Sequence, residues 1–556
     1  MHLEPSTGAG LLLGICAVLV VVFLFVAHLS NLKQKVPLFY CWLGAIAVLG
    51  GAAAFFLPIA VNSGFAKDDD GSALRQALLY TTGGVLGVIT LGETHRKNNQ
   101  EKEKNENDHT RQVYAERRSR YTKAVEQLAN ENAAVRLGGI YTLVGLVDEW
   151  LTDDTLTPKE RQKEGQVIIN NLCSYIRSPF PLAAKIEEYE AHQELEDLQK
   201  TESEMLSEGK SSRLQVLLKR FEDSGEYEKP EDITADYAKF HEEQDVRRTI
   251  FVEMNKRSST FTKNDKGEII ETVPGPWSDF DFDFSRAPIF YPLNAITIEK
   301  GNFSSAKFYS NADFSWATFT QNADFSKAAF AQTADFSKAA FAQTADFSWA
   351  AFTQNAGFSG AAFTQTAIFS WAIFTQTAYF SSATFTQDAG FSMAAFTQNA
   401  YFSGAAFTQN AYFSIATFAQ DAYFNGATFT QTANFSRATF TQTANFSEAT
   451  FTQTANFSEA TFSASSPKFV EIFKVLERTF RARFATLPKN QEAHNFTVSK
   501  GSFRIPLGEA ELGDGVKHHI PVGTVLFDPD SWDEEKQEYT RVSVPAKPLE
   551  NSDSGE

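Results

Sequence analysis

ADFSKAAFAQTADFSKAAFAQT, residues 323–344, is an eleven-residue phrase stated twice. Its phenylalanines, Phe325, Phe330, Phe336 and Phe341, stand five, six and five residues apart. The phrase generalises to A-x-F-S-x-A-x-F-x-Q-x and runs from Phe303 to Phe462 in fifteen units. A helix does not fit, because positions five apart lie about 140° apart on a helical wheel and no apolar stripe results. One continuous strand does not fit either, since an offset of five changes face. Cutting the chain after each Phe resolves both conflicts. Ala and Phe in A-x-F are two apart, so they share a face of a three-residue strand. The two residues S-x and the three residues x-Q-x become alternating corners. Short strands with one face inward, joined by tight corners, make a coiled parallel β-solenoid.

The second residue of the S-x corner decides the length of one coil. Alternate units form two series. One reads Trp316, Lys338, Gly360, Ser382, Gly404, Gly426, Glu448; the other reads Lys327, Trp349, Trp371, Met393, Ile415, Arg437, Glu459. An eleven-residue coil would not distinguish alternate units. The expectation is therefore about 22 residues per coil, four sides, about seven and a half coils and a rod of about 35 Å. Stacked Phe would form the core, and the recurring Gln321, Gln343, Gln365 and Gln387 could bond along the rod.

Beyond the repeat, the totals constrain the class. The chain has 556 residues and a net charge of −18, which opposes a general phosphate-binding surface. Its 52 Phe against 16 Tyr reflect the repeat. Cys16, Cys41 and Cys173 form no disulfide framework or zinc spacing. Residues 10–29 and 38–61 are apolar runs without charge, and a weaker run spans Leu74 to Leu91. Lys33 and Lys35, the Asp68–Asp70 cluster, and Arg96 and Lys97 alternate in sign between and after these runs. Three spans, N-terminus outside and the large C-terminal part cytoplasmic, satisfy the preference of basic loops for the cytoplasm. Gly83 and Gly87 are small residues one turn apart, suited to packing within the chain or to self-association.

The expected organisation is a membrane region at 1–92, a charged stalk with an α-helical domain and linker at 93–260, and the solenoid at 277–463. A capping helix at 464–486 and a short β segment with a disordered tail at 487–556 complete it. The capping helix rests on Ser466-Pro467 followed by Phe469, Ile472, Phe473, Leu476 and Phe480 at helical spacing. Residues 277–290, WSDFDFDFSRAPIF, are an imperfect copy of the repeat. Asn-Phe-Ser at 434, 445 and 456 matches a glycosylation pattern that a cytoplasmic solenoid would not use.

With Ala334, Asp335 and Phe336 matching A-(D/N)-(L/F)-x-x, the repeat resembles that of pentapeptide repeat proteins. The resemblance implies a right-handed quadrilateral β-helix with Ala and Phe inward. This chain departs by one inserted residue in every second repeat. RYTKAVEQL and AVRLGGIYTL, with DVRRTIFVEMNKR at 245–257, resemble a helical region that precedes such repeats in membrane-attached bacterial members.

Function is read from the outer positions. Trp349, Trp371, Met393 and Ile415 would stack on one outer corner with Ile368 close by, an apolar patch of the kind that marks a protein-binding site. The alternative is that the chain's own C-terminal strands cover them. Tyr379, Tyr401 and Tyr423 form another outer series, either flat over Ser382, Gly404 and Gly426 or as an aromatic platform. The first reading is a membrane-anchored cytoplasmic scaffold. The second, implied by relatives that resemble DNA and inhibit topoisomerases, is a DNA mimic built on Asp313, Asp324, Asp335 and Asp346, an array that then gives way to Gly, Ile, Tyr and Asn. No catalytic, cofactor or metal-ligand pattern stands out, and adjacent His518 and His519 are poorly placed to share a metal. Neither an enzyme nor a nucleic-acid binder is expected.

Overall fold

The computed structural model describes the chain except residues 1–4, 30–37, 62–69, 202–207, 223–230, 264–268, 294–295, 474–477, 487–493, 514, 535–537 and 550–556. Lys33, Lys35, Asp68, Asp69, Leu476 and the C-terminal tail, all used in the reading above, fall outside the described residues. The chain divides into two compact units, residues 1–118 and 119–556.

In the first unit, α1 (Pro5–Leu29) packs antiparallel on α2 (Leu38–Ala60), with Gly10 beside Ala60. Their outer surfaces are apolar and exposed, as Val18, Phe25 and Val48 show. These two helices are long and apolar enough to cross a membrane. The third run, Leu74 to Leu91, does not form a helix of its own. It opens α3 (Asp70–Leu128), a continuous helix of 59 residues whose charged continuation dominates. Thr81 and Thr82 within it donate their hydroxyls to the carbonyls of Ala77 and Leu78. The small residue that lets helices meet is Gly50, whose Cα faces Thr82 with no room for a Cβ; a Cβ on Gly83 or Gly87 would meet nothing.

In the second unit, α4 (Ala133–Leu151), α5 (Pro158–Arg177) and α8 (Ile233–Asn255) pack together. A capping box between Thr157 and Glu160 starts α5. Within the expected helical domain and linker, α6 (Pro181–Lys200) and α7 (Glu208–Phe221) are joined by Leu217 against Ala191 and Leu198 and by Arg213 on Glu194. Arg247 of α8 is 2% exposed. It bonds Glu243 at 2.7 Å and the carbonyls of Ile176 and Ser178, and faces the rings of Tyr175, Phe180 and Phe290. A charge this deep is tolerated because its donors are occupied. Burial pushes the Cys173 thiol of α5 up to about 12, the behaviour of an inert core thiol.

This helical layer closes the first end of the rod. Phe251 lies 4.7 Å from Phe284, Phe180 stacks on Phe290 at 4.8 Å, and buried Trp277 donates its indole N–H to Asp148. The imperfect copy forms the first coil: Phe282-Asp283-Phe284 takes the A-x-F place, and Phe282 pairs with Gly301.

From there the rod is regular. Ala323 pairs with Ala345, Ala329 with Ala351, Ala334 with Ala356 and Ala340 with Ala362, all parallel and each with its counterpart two phrases later. Four parallel sheets result, three of nine strands and one of seven. We number the faces in chain order from the one holding Ala323–Asp324; Ala329–Phe330, Ala334–Asp335 and Ala340–Phe341 lie on the second, third and fourth. Every Ala and Phe of the inward positions is buried, as Ala334 and Phe336 illustrate at 0% exposure. Rings stack along the rod, Phe336 on Phe314 at 4.9 Å and on Phe358 at 5.0 Å. Across the core they meet edge to face, Phe336 to Phe347 at 5.2 Å.

The second end departs from expectation. No helix occurs among the described residues of 464–486; Val470–Phe473 and Arg478–Arg481 form an antiparallel hairpin. The helical spacing misled because Phe469 belongs to the core and continues the aromatic column above Phe446 at 5.4 Å. Phe484 follows on Phe451 and Phe496 on Phe457, so Pro467-Lys468-Phe469, Ala482-Arg483-Phe484 and His494-Asn495-Phe496 are three more strands of a coil stretched by insertions. Val525–Phe527 then pairs with Arg483–Ala485 and adds a last strand to the fourth face. Thr497 N–H donates to Asn495 Oδ1 just as in the repeat.

His494 holds the position Ala holds elsewhere. Its Nδ1 accepts from Ala455 N–H at 3.1 Å, which leaves Nε2–H to donate to Ala485 O at 3.1 Å. Desolvation beside Phe484 and Phe496 lowers its pKa to about 4.

Phe336→Ala opens a cavity between two stacked rings and should cost about 3–5 kcal/mol in chemical denaturation. Neutral His494 stabilises the closing coil fully above the unfolded pKa of about 6.5, and that stability is lost as pH falls toward 4, because the unfolded chain binds the proton first. Hydrogen exchange of the closing coil should therefore quicken over that window, and His494→Ala should flatten the dependence.

Candidate interaction edge

Each S-x corner is a β-turn in which the following Ala N–H donates to the Phe carbonyl, as Ala350 does to Phe347 at 3.1 Å. The x residue has positive φ in every coil: Trp349 60°, Trp371 64°, Met393 60° and Ile415 60°. The preceding Ser does not, which makes the corner type II, a turn that favours Gly at this position. The opposite edge, between the third and fourth faces, follows that preference with Gly360, Gly404 and Gly426. The edge between the first and second faces does not. Holding a non-Gly residue in this conformation costs about 1–2 kcal/mol.

The backbone fixes where those side chains point. Trp349 N–H donates to Ser370 O at 3.0 Å, Trp371 to Ser392 at 3.1 Å, Met393 to Ser414 at 2.9 Å and Ile415 to Ser436 at 3.0 Å. The four residues therefore stand in one line, one per coil. Trp349 and Trp371 stack at 4.6 Å with planes 3° apart. They remain 54% and 44% exposed, and Ile415 43%. The C-terminal strands join the end of the rod and leave this edge open.

Ile368 flanks the line on the first face, as the sequence suggested. Ile373 on the second face is 48% exposed, and Tyr412 on the first is partly exposed. Sequence reasoning missed both. Each occupies the outward place of an A-x-F strand beside the edge, a placement that a four-sided coil makes readable. Between Lys327 and Arg437 the edge and its two flanks hold one charged residue, Asp346.

The outward position before Phe has its own local chemistry. Where it is Asp or Asn, its Oδ1 accepts the N–H of the Ser two residues on, in Asp313, Asp324, Asp335, Asp346, Asn434, Asn445 and Asn456, at 2.8–3.0 Å. These are Asx-turns that pin the corner. They explain the Asn-Phe-Ser pattern and assign the acidic series a structural task. On the first face Asp346 still caps the Trp349 corner, and the caps stop for Ile368, Gly390 and Tyr412, in the coils of Trp371, Met393 and Ile415. Those coils give up two local preferences at once.

The tyrosines lie elsewhere. Tyr379, Tyr401 and Tyr423 are on the third face and stack at 5.4 Å and 4.8 Å with nearly parallel planes. Their rings stack on one another along the rod, so they do not lie flat over Ser382, Gly404 and Gly426, and Tyr379 stays exposed at the end of the stack. Asn399 Nδ2 donates to the Tyr401 hydroxyl, which lies 3.4 Å away, and the Tyr423 hydroxyl donates to Asp421 Oδ2 at 3.1 Å. Corner bonds between coils run through the residues on either side of Gln, as when the Thr353 hydroxyl donates to Ala331 O, Asn410 N–H to Asp388 Oδ1 and Thr443 N–H to Asp421 Oδ1.

A family described as pentapeptide repeats (nine copies) matches residues 296–339, 369–415 and 413–461. These three stretches of the rod match pentapeptide repeats. No curated protein and no solved structure matches the chain significantly. Within the pentapeptide repeats, the inserted residue of each second unit widens the x-Q-x corner and leaves the four-sided coil intact.

Trp371→Gly should keep the rod folded, within about 1 kcal/mol of the parent, because the backbone already adopts the conformation Gly prefers. Trp371→Pro, which cannot adopt positive φ, should unfold the neighbouring coils; circular dichroism on heating distinguishes the two.

Proposed function

We propose that this chain is a membrane-anchored interaction protein whose pentapeptide-repeat rod presents the Trp349–Ile415 edge to a protein partner. The observation that carries the reading is the exposed apolar line at positions where the turn favours Gly, with the Asx cap absent as well before Trp371, Met393 and Ile415. Local stability has been given up in the same coils that gain an apolar surface, as happens at functional sites. Exposed patches of this kind mark protein contacts.

Anchoring rests on α1 and α2, with the start of α3 as a third span. The basic residues after Leu91 then place the repeats in the cytoplasm. The rod acts here as a scaffold and carries no catalysis. The DNA-mimic alternative draws less support, since its Asp side chains are engaged in corner caps and the acidic series is short.

Proximity labelling in the native membrane tests the reading. A Trp349→Gly, Trp371→Gly double variant should lose the principal labelled partner while keeping expression and fold. An unchanged set of labelled proteins would overturn it. For orientation, a cysteine at Thr94 should react with an impermeant maleimide only after the membrane is opened; labelling in intact cells would place the rod outside.

A further inference from the structure

Resting on the reading of this edge as a docking surface, we infer that its partner is a second copy of the same chain, laid antiparallel along it. The edge residues, one per coil, read Lys327, Trp349, Trp371, Met393, Ile415, Arg437, Glu459. About Met393 this order is its own complement. Reversing a copy through a two-fold axis at Met393 sets Trp371 against the partner copy's Ile415. It sets Trp349 against the partner copy's Arg437, and Lys327 against the partner copy's Glu459. Each contact occurs twice, as a two-fold interface requires.

Every pairing is chemically favourable. A guanidinium over an indole is a cation–π contact, and Lys with Glu is an ion pair. On the flanks the same operation places Ile368 beside the partner copy's Tyr412, and small Gly390 and Ala395 at the axis opposite themselves, so the rods can approach closely. Both rods rise about 4.9 Å per coil, so the register holds along the whole edge. Arg437 and Glu459 now pair within the chain at 2.6 Å, but at 65% and 63% side-chain exposure that pair is weak and can be exchanged.

The size of the contact sets its strength. From Ser305 to Glu459 the edge is roughly 34 Å long, and half of each flanking face gives a width of about 15 Å. Two copies then bury on the order of 1,000 Å², at the lower limit for a specific interface, so a dimer of roughly micromolar affinity is expected. Confinement to one membrane would raise the effective concentration.

The test uses the full chain in detergent and in nanodiscs, under mild oxidation, with the unmodified chain as control for its own three cysteines. Met393→Cys sits on the axis and should give a disulfide-linked dimer. Trp349→Cys and Arg437→Cys chains should each give none alone, and should crosslink when mixed. Lys327→Glu or Glu459→Lys should each weaken the dimer several-fold by analytical ultracentrifugation, and the double swap should return it to within about twofold. A Met393→Cys chain that crosslinks no more than the control, or a double swap no better than the single ones, overturns the proposal. Capture of a different protein by a photocrosslinker at Trp371, with the chain monomeric at tens of micromolar, also overturns it while leaving the docking surface in place.

Discussion

The rod depends on one constraint: each coil must return its inward residues to the same four faces so that the Phe rings stack in unbroken columns, and in the regular coils that takes two copies of the phrase. The strands stand at the sheet spacing, and the rings inherit it, Phe347 on Phe369 at 4.9 Å and Phe352 on Phe374 at 4.9 Å. A residue inserted anywhere but the outermost corner would turn an Ala or Phe outward. Insertions are therefore confined to the x-Q-x corners and to the last coil, where the chain leaves the rod and returns with Ala482-Arg483-Phe484 and His494-Asn495-Phe496. Each coil touches its neighbours, so both ends need cover. Helices supply it at one end and the stretched coil at the other.

The same constraint turns every surface position into a ladder. A side chain chosen once meets its counterpart one coil away, which is why Trp349 finds Trp371 and Tyr401 finds Tyr423. The two ladders differ in what they leave open. The tyrosines are satisfied by one another and by Asn399 and Asp421, whereas the Trp edge keeps a large apolar area in solvent. The contrast with the opposite edge is informative because the backbone is the same. Gly360, Gly404 and Gly426 show what the turn prefers, and Trp349 and Ile415 show what has been placed there against that preference.

Much of this was legible in the residues. The parity of Ala and Phe defined the strands, and the alternation of large and small corner residues defined the coil and hence the edge. The corner conformation was not legible, since Trp, Lys, Met and Ile do not announce positive φ as Gly does. The closing coil was misread for a related reason: Phe469, Ile472, Phe473 and Phe480 fit a helical stripe, and only the contact of Phe469 with Phe446 shows that one of them belongs to the core while the others sit on a hairpin. The Asp series read as an acidic array and the Asn series as a glycosylation match; both cap the Ser N–H two residues on, a bond too local for a repeat pattern to reveal. The third apolar run was harder still, because α3 passes without a break from apolar to charged sequence.

The coil length can be measured directly. Spin labels at Lys327 and Arg437, on a chain whose native cysteines are replaced and which is diluted with unlabelled protein, report the rise of the rod between those two corners. Coils of two phrases put five coils between the labels and place them roughly 24 Å apart. A distance of about 48 Å, the value for coils of a single phrase, would put Trp349 and Trp371 on a common edge with Gly360 and remove the apolar line.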